Sequence, residues 1–209
     1  MATADDILLV CTANVCRSPM AEFTLRRAFA GVPGFHDIAV ASAGVAPATG
    51  SAVCSDVRAF HPGAEWEELS AQHRPRALDA DAIAGAWLVL VASRGIRASV
   101  VAAAPAHRRH VFTLREAVWL GTGFVGDRAV TGPAAVAAFW RHIDGSRGLR
   151  RLPAPERRAP WQRRAHDPLD IADGHNARSA SAHRETVRMV DRTARELAAL
   201  IGPHRAASD

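Results

Sequence analysis

Ile7-Leu8-Leu9-Val10-Cys11-Thr12-Ala13-Asn14-Val15-Cys16-Arg17-Ser18-Pro19-Met20-Ala21-Glu22 decides how the rest of the chain is read. Four apolar residues make a short buried strand, a polar turn follows, and Ser18-Pro19 marks a helix start. Ser18 suits the capping position, and Pro19 the first helical position, where a missing N–H costs nothing. In the order strand, tight loop, helix, loop amides and four unpaired helix N–H groups converge on one point, and the helix dipole adds positive potential there. A thiol in that place, Cys11, is expected to act as a thiolate nucleophile. The planar fork of Arg17 can meet two phosphate oxygens at once, which a lysine cannot. A nucleophile, donors from Thr12, Ala13, Asn14, Val15, Cys16, Arg17 and Ser18, and a bidentate cation describe a site for phosphoryl transfer.

The run Cys11-x-x-Asn14-x-Cys16-Arg17-Ser18-Pro19 at the end of a first strand resembles the low-molecular-weight protein tyrosine phosphatases, which share a fold with thioredoxin-linked arsenate reductases. Cys-x5-Arg alone occurs by chance in many proteins; the longer run is specific. The family usually has glycine at the position of Ala13, so alanine there requires φ below zero. The resemblance implies an α/β, three-layer flavodoxin-like fold with a four-stranded parallel sheet and helices on both faces. Its active loop would lie at the carboxyl edge of the first strand, where such sheets bind ligands.

The remaining sequence fits that frame. With 209 residues, 48% hydrophobic and 22% charged, the chain describes a globular protein with one substantial core. A single domain spanning residues 1–209 is expected. No apolar run approaches the roughly 18–20 residues of a membrane helix. The first six residues carry no basic region, so no signal peptide is read. Three cysteines argue against a disulfide framework and for a cytoplasmic protein. The net charge is +5, and all 26 basic residues are arginine. That balance favours anionic partners, but the arginines are scattered without interleaved aromatics, so no nucleic-acid partner is expected.

Strand and helix patterns alternate along the chain, as a covered parallel sheet requires. Helices are expected over residues 20–30, 51–60, 80–86, 93–104, 134–143 and 180–201, another opening at 113–116, and strands over 38–41, 87–91 and 110–112. Residues 144–165 read as an irregular Arg/Pro-rich insertion with seven arginines, either a solvated loop or a basic lip guiding phosphoproteins toward the site. The resemblance assigns two supports for the loop asparagine: Ser42, in Ser42-Ala43-Gly44, and His73, in His73-Arg74-Pro75-Arg76.

A leaving phenolate needs a proton, and the loop supplies none. His166-Asp167-Pro168 stands before the last helix, where the family carries an Asp-Pro general acid, so Asp167 is the candidate; Asp170 and Asp173 are less well placed. The implied reaction passes through a cysteinyl phosphate on Cys11, with Asp167 as acid and then base, and fixed dipoles make a metal or cofactor unnecessary. Cys16 is either a packing residue or a disulfide partner for oxidised Cys11. The implied partners are inorganic phosphate or related oxyanions and a phosphorylated protein. Val15 resembles the tyrosine-specific members and favours phosphotyrosine, whereas arginine-phosphate members carry threonine there. Aromatic walls are missing after Asp167-Pro168 and after Ser42-Ala43-Gly44; Trp161 could substitute. Two other readings are an arsenate reductase borrowing external thiols and a non-catalytic phosphate-binding module.

Overall fold

The computed structural model describes residues 6–153, 167–176 and 179–202. Its centre is β1 (Ile7–Cys11), all five residues of which are buried. β2 (Val40–Gly44), β3 (Leu88–Val91) and β4 (Val111–Thr113) complete a parallel sheet in the order β2-β1-β3-β4. Successive side chains on a strand face opposite ways, and the core divides accordingly. Ile7, Leu9, Leu88 and Leu90 join one hydrophobic cluster; Leu8, Val10, Val89 and Val91 join the other. Burial on both faces is why β1 and β3 read as unbroken apolar runs.

One face is covered by α1 (Arg17–Ala30), α6 (Leu114–Gly121), α7 (Gly132–Gly145) and α8 (Ala180–Ile201), the other by α4 (Ala80–Gly85) and α5 (Arg94–Ala103). Val187, Val190, Ala194, Leu197 and Ile201 form the buried stripe of α8. The expected four-stranded α/β sheet is therefore present, and its strand order reverses between β1 and β3, the crevice where ligands of such sheets bind.

Three local expectations are corrected. The single helix over 51–60 is a short α2 (Ser55–Arg58), followed by a separate α3 (Ala64–Gln72). Pro62-Gly63 divides them, with Gly63 at φ 120°, a conformation a side chain would oppose. Trp66 on α3 is buried, donates to Val57 O at 2.7 Å and meets Phe23 edge-on at 5.5 Å. The helix boundary at Ser18 also moves: Cys16 is the residue before α1, so Ser18 and Pro19 lie inside its first turn. That frees the Ser18 hydroxyl for the active loop. Finally, the irregular stretch starts later than residue 144, because α7 runs to Gly145. Arg147 lies over the Phe112 ring at 3.6 Å, and Arg150 donates to Trp119 O at 2.6 Å. These two arginines pin the chain to the body and are not part of a basic lip. Residues 154–166, with four more of the seven arginines and Trp161, lie outside the described residues.

Candidate active site

Cys11 ends β1, and the loop from Thr12 to Cys16 turns the chain directly into α1. Asn14 holds that turn. It is fully buried and has φ 56°, the left-handed conformation that asparagine tolerates better than other side chains. Ala13 is not among the positive-φ residues, so the alanine fits without strain. The Asn14 backbone N–H points at Cys11 Sγ, 3.3 Å away.

The Asn14 side chain uses all its short bonds. Oδ1 accepts from Arg76 N at 2.9 Å, and Nδ2 donates to Ser42 Oγ at 2.8 Å and Ser18 Oγ at 2.9 Å. His73 Nε2 lies 2.8 Å from the Asn14 carbonyl oxygen. Both residues expected to brace Asn14 therefore touch it, Ser42 through the side chain and His73 through the backbone.

The direction of these bonds orders the hydroxyls. Ser42 donates to Glu22 Oε2 at 2.6 Å, so its oxygen is left to accept from Asn14. Asn14 Nδ2 also spends a hydrogen on Ser18 Oγ, which lies 3.0 Å from Cys11 Sγ and donates to Ala43 O at 3.4 Å. The buried carboxyl of Glu22 is thereby linked, through two intervening side chains, to the hydroxyl beside the nucleophile. Sequence inspection passed over Glu22. The signal available was its place four residues after Ser18, on the helix face that meets β2. Burial pushes the Glu22 carboxyl up from its ordinary value, opposed by the Ser42 hydroxyl and by Arg26.

Gly44 sets how closely β2 approaches this loop. A Cβ there would lie 2.6 Å from Thr12 O and 3.1 Å from Asn14 N. Val45, Ala46 and Ala48 then run beside the loop, with Ala46 N donating to Thr12 O at 2.9 Å and Ala48 N to Ala13 O at 3.0 Å. This wall is aliphatic.

Arg17 is buried, and a buried charge must be paired. It donates to Asp173 Oδ2 at 2.8 Å, Thr12 Oγ1 at 3.2 Å and Ile171 O at 3.3 Å. The structure thus separates the two aspartates differently from the sequence expectation. Asp167 pairs with Arg94 at 2.6 Å and accepts from Leu169 N at 2.9 Å. Asp170 accepts from Arg94 N at 2.8 Å at the start of α5. With Leu169 O bound by Thr113 and Ile171 N bound to Ala92 O, residues 167–171 form a strap across the ends of β3 and β4. Asp173 is the aspartate that the strap delivers to the loop arginine. Asp-Pro at 167–168 is a turn, closed by Asp170 N on Asp167 O at 3.0 Å.

The low molecular weight phosphotyrosine protein phosphatase family model matches residues 6–131, which contain the strand, loop and bracing residues just described. The chain belongs to this family. Two curated relatives agree: the probable low molecular weight protein-tyrosine-phosphatase EpsP of Ralstonia nicotianae is 36% identical over 115 residues, 53% of this chain and 70% of the relative. Its namesake from Ralstonia solanacearum is 37% identical over the same length and shares. Among solved structures, the YwlE arginine phosphatase from Geobacillus stearothermophilus superposes with TM-score 0.57 at 24% identity, covering 92% of this chain and 89% of that one. A YwlE mutant from Bacillus subtilis gives TM-score 0.57 at 22% identity, covering 92% and 95%. These likenesses establish the fold. The family assignment makes the chain a phosphoric monoester hydrolase, and neither an arsenate reductase nor a pure binding module is favoured.

The loop also faces a group that sequence reading left undecided. Cys16 Sγ lies 3.2 Å from His183 Nε2, and Cys54 Sγ lies 3.9 Å from the same nitrogen. Cys54 is pulled down to about 6 by the Cys16 thiol that hydrogen-bonds it; the same bond and burial push Cys16 up. All three cysteines are free thiols.

Proposed function

We propose that this phosphatase hydrolyses phosphotyrosine in proteins, with Cys11 as nucleophile, Arg17 and the amides of residues 12–18 as the phosphate cradle, and Asp173 as general acid. The observation that carries the residue assignment is the 2.8 Å pair between Arg17 and Asp173, which puts one carboxylate over the loop while Asp167 is spent on Arg94.

In the first step the Cys11 sulfur attacks phosphorus in line. The S–P bond forms as the P–O bond to the phenol breaks, and the proton on Asp173 passes to the departing oxygen. Arg17 and the loop amides hold the equatorial oxygens, so their charge meets donors that are already oriented. In the second step water attacks phosphorus, Asp173 accepts its proton, and the S–P electrons return to sulfur. Ser18, whose oxygen lies 3.0 Å from that sulfur, donates to it as it leaves.

Phosphotyrosine is favoured by the family's description and by the names of the Ralstonia relatives. Val15 supports it, a half-buried aliphatic residue packed on the core beside the loop. The free thiols fit a reducing compartment, and we place the protein in the cytoplasm as a single domain.

Turnover of an aryl phosphate tests the assignment. Cys11→Ser abolishes it. Asp173→Asn lowers kcat by about 10²–10³-fold, within the range of a positioned general acid, while Asp167→Asn changes it only a few-fold. Because Asp173 competes with phosphate for Arg17, Asp173→Asn also tightens inorganic phosphate binding as kcat falls. The reverse pattern, with Asp167→Asn inactive and Asp173→Asn near wild type, refutes the choice of acid. A kcat/KM for phosphoarginine peptides above that for phosphotyrosine peptides refutes the choice of substrate.

A further inference from the structure

Beside the phosphate loop four side chains from four separate parts of the chain come together. Cys16 precedes α1, Cys54 precedes α2, His175 stands two residues after Asp173, and His183 lies on α8. One ligand atom from each lies within 4.8 Å of all the others. The proposed phosphatase reaction uses none of these four side chains.

We infer that this Cys16–Cys54–His175–His183 cluster is a zinc site. Four thiolate and imidazole ligands are the donor set of closed structural zinc sites. A tetrahedron with Zn–S of about 2.3 Å and Zn–N of about 2.0–2.1 Å has edges of roughly 3.3–3.8 Å. The Cys16–His183 and Cys54–His183 separations of 3.2 and 3.9 Å already bracket that range. The imidazoles of His175 and His183 lie 4.4 Å apart between ring centroids.

A second observation points the same way. His183 Nδ1 is 3.0 Å from Asp56 Oδ2, so a carboxylate takes one ring nitrogen and turns Nε2 toward the sulfurs. Carboxylate–histidine–zinc arrangements fix the ligand's tautomer and orientation in this manner. A thiol pair that served only packing would not need a histidine oriented by a carboxylate, nor a second histidine.

On binding, Zn²⁺ takes both sulfurs as thiolates, any thiol protons pass to solvent, and two thiolates balance the metal's charge. The ion would clasp the end of the phosphate loop to the segment that carries Asp173. It would also commit Cys16, leaving Cys11 without a disulfide partner in the loop.

Zinc content and a competition titration with a chromophoric chelator test the site, using full-length protein. The expected result is one Zn²⁺ per chain, a raised Tm on loading, and a cobalt derivative with thiolate charge-transfer and tetrahedral ligand-field bands. Cys54→Ser and His183→Gln should each weaken zinc binding at least about 100-fold, and Asp56→Asn about 10–100-fold, as outer partners of metal ligands do. Cys11→Ser should bind zinc as the wild type does. Zinc binding lost in Cys11→Ser places the ion on the nucleophile and overturns the inference, as does binding indifferent to Cys54→Ser and His183→Gln. Absence of one-to-one binding at micromolar zinc overturns it too. None of these readouts depends on turnover, so the phosphatase assignment stands or falls separately.

Discussion

Replacing Asn14 removes the most connected side chain of the loop, and its cost can be worked from the bonds. Asn14→Gly leaves the half-buried Arg76 N–H without this acceptor and the Ser18 and Ser42 oxygens without their donor, three bonds of 2.8–2.9 Å. At about 1 kcal/mol each, the loss is about 3 kcal/mol. Asn14→Ala loses the same bonds and must also hold φ 56°, which costs about 1 kcal/mol more for a residue with a Cβ. The loop amides lose their fixed aim in both, and kcat should fall about 10²-fold, as displacements of about 1 Å in a reacting geometry do. Urea unfolding gives the stability difference, and aryl phosphate turnover at saturating substrate gives kcat. Glycine itself costs about 0.5–1 kcal/mol in chain entropy relative to alanine, so an alanine variant more stable than the glycine one by that amount would show that the left-handed turn carries no strain. A loss under about 1 kcal/mol in either would show that water replaces the side chain freely, and the account of a buried, directional network would fail.

Gly44→Ala places a Cβ 2.6 Å from Thr12 O, so the loop must shift; an overpacking cost of about 1–3 kcal/mol is expected, with kcat lowered, and wild-type turnover with unchanged Tm would contradict it. Glu22→Gln should show pH-dependent stability relative to wild type. Burial raises the native carboxyl of Glu22 above its ordinary value, so its contribution is fully present below that value and is lost as pH rises through the native one. The variant lacks this loss, so urea unfolding should find it gaining on wild type as pH rises above 4.5, the ordinary carboxyl value; a pH-independent difference refutes the assignment of that burial cost.

The sheet and the loop were legible because each rests on a local signal. Parallel strands buried on both faces are unbroken apolar runs, and β1 and β3 are such runs. Ser42 and His73 were placed by resemblance, and both reach Asn14. The misread elements depended also on contacts distant in sequence. The helix formers after Pro62-Gly63, with Glu65 and Glu67 in the first turn, were the local signal for α3 that sequence inspection passed over; the helix is held by Trp66 against Phe23 and Val57. Nothing within Ser18-Pro19 distinguishes a helix cap from a second helical residue, and the distinction lies in Cys11 and Asn14, which claim the hydroxyl.

The position of the aspartates has the same origin, and shows what a dipeptide can and cannot carry. Asp-Pro specifies a turn, and residues 167–168 do make one. Which aspartate then faces the phosphate loop is settled by where the strap is tied. Asp167 and Asp170 bind the start of α5, Leu169 O is held by Thr113, and Ile171 bonds to both Ala92 and Arg17. With those anchors fixed, the next carboxylate along the chain is Asp173, and the buried guanidinium of Arg17 supplies the reason for it to turn inward. The charge on Arg17 is thus neutralised by a side chain, and under the proposed assignment a phosphate entering the loop would exchange one anion for another.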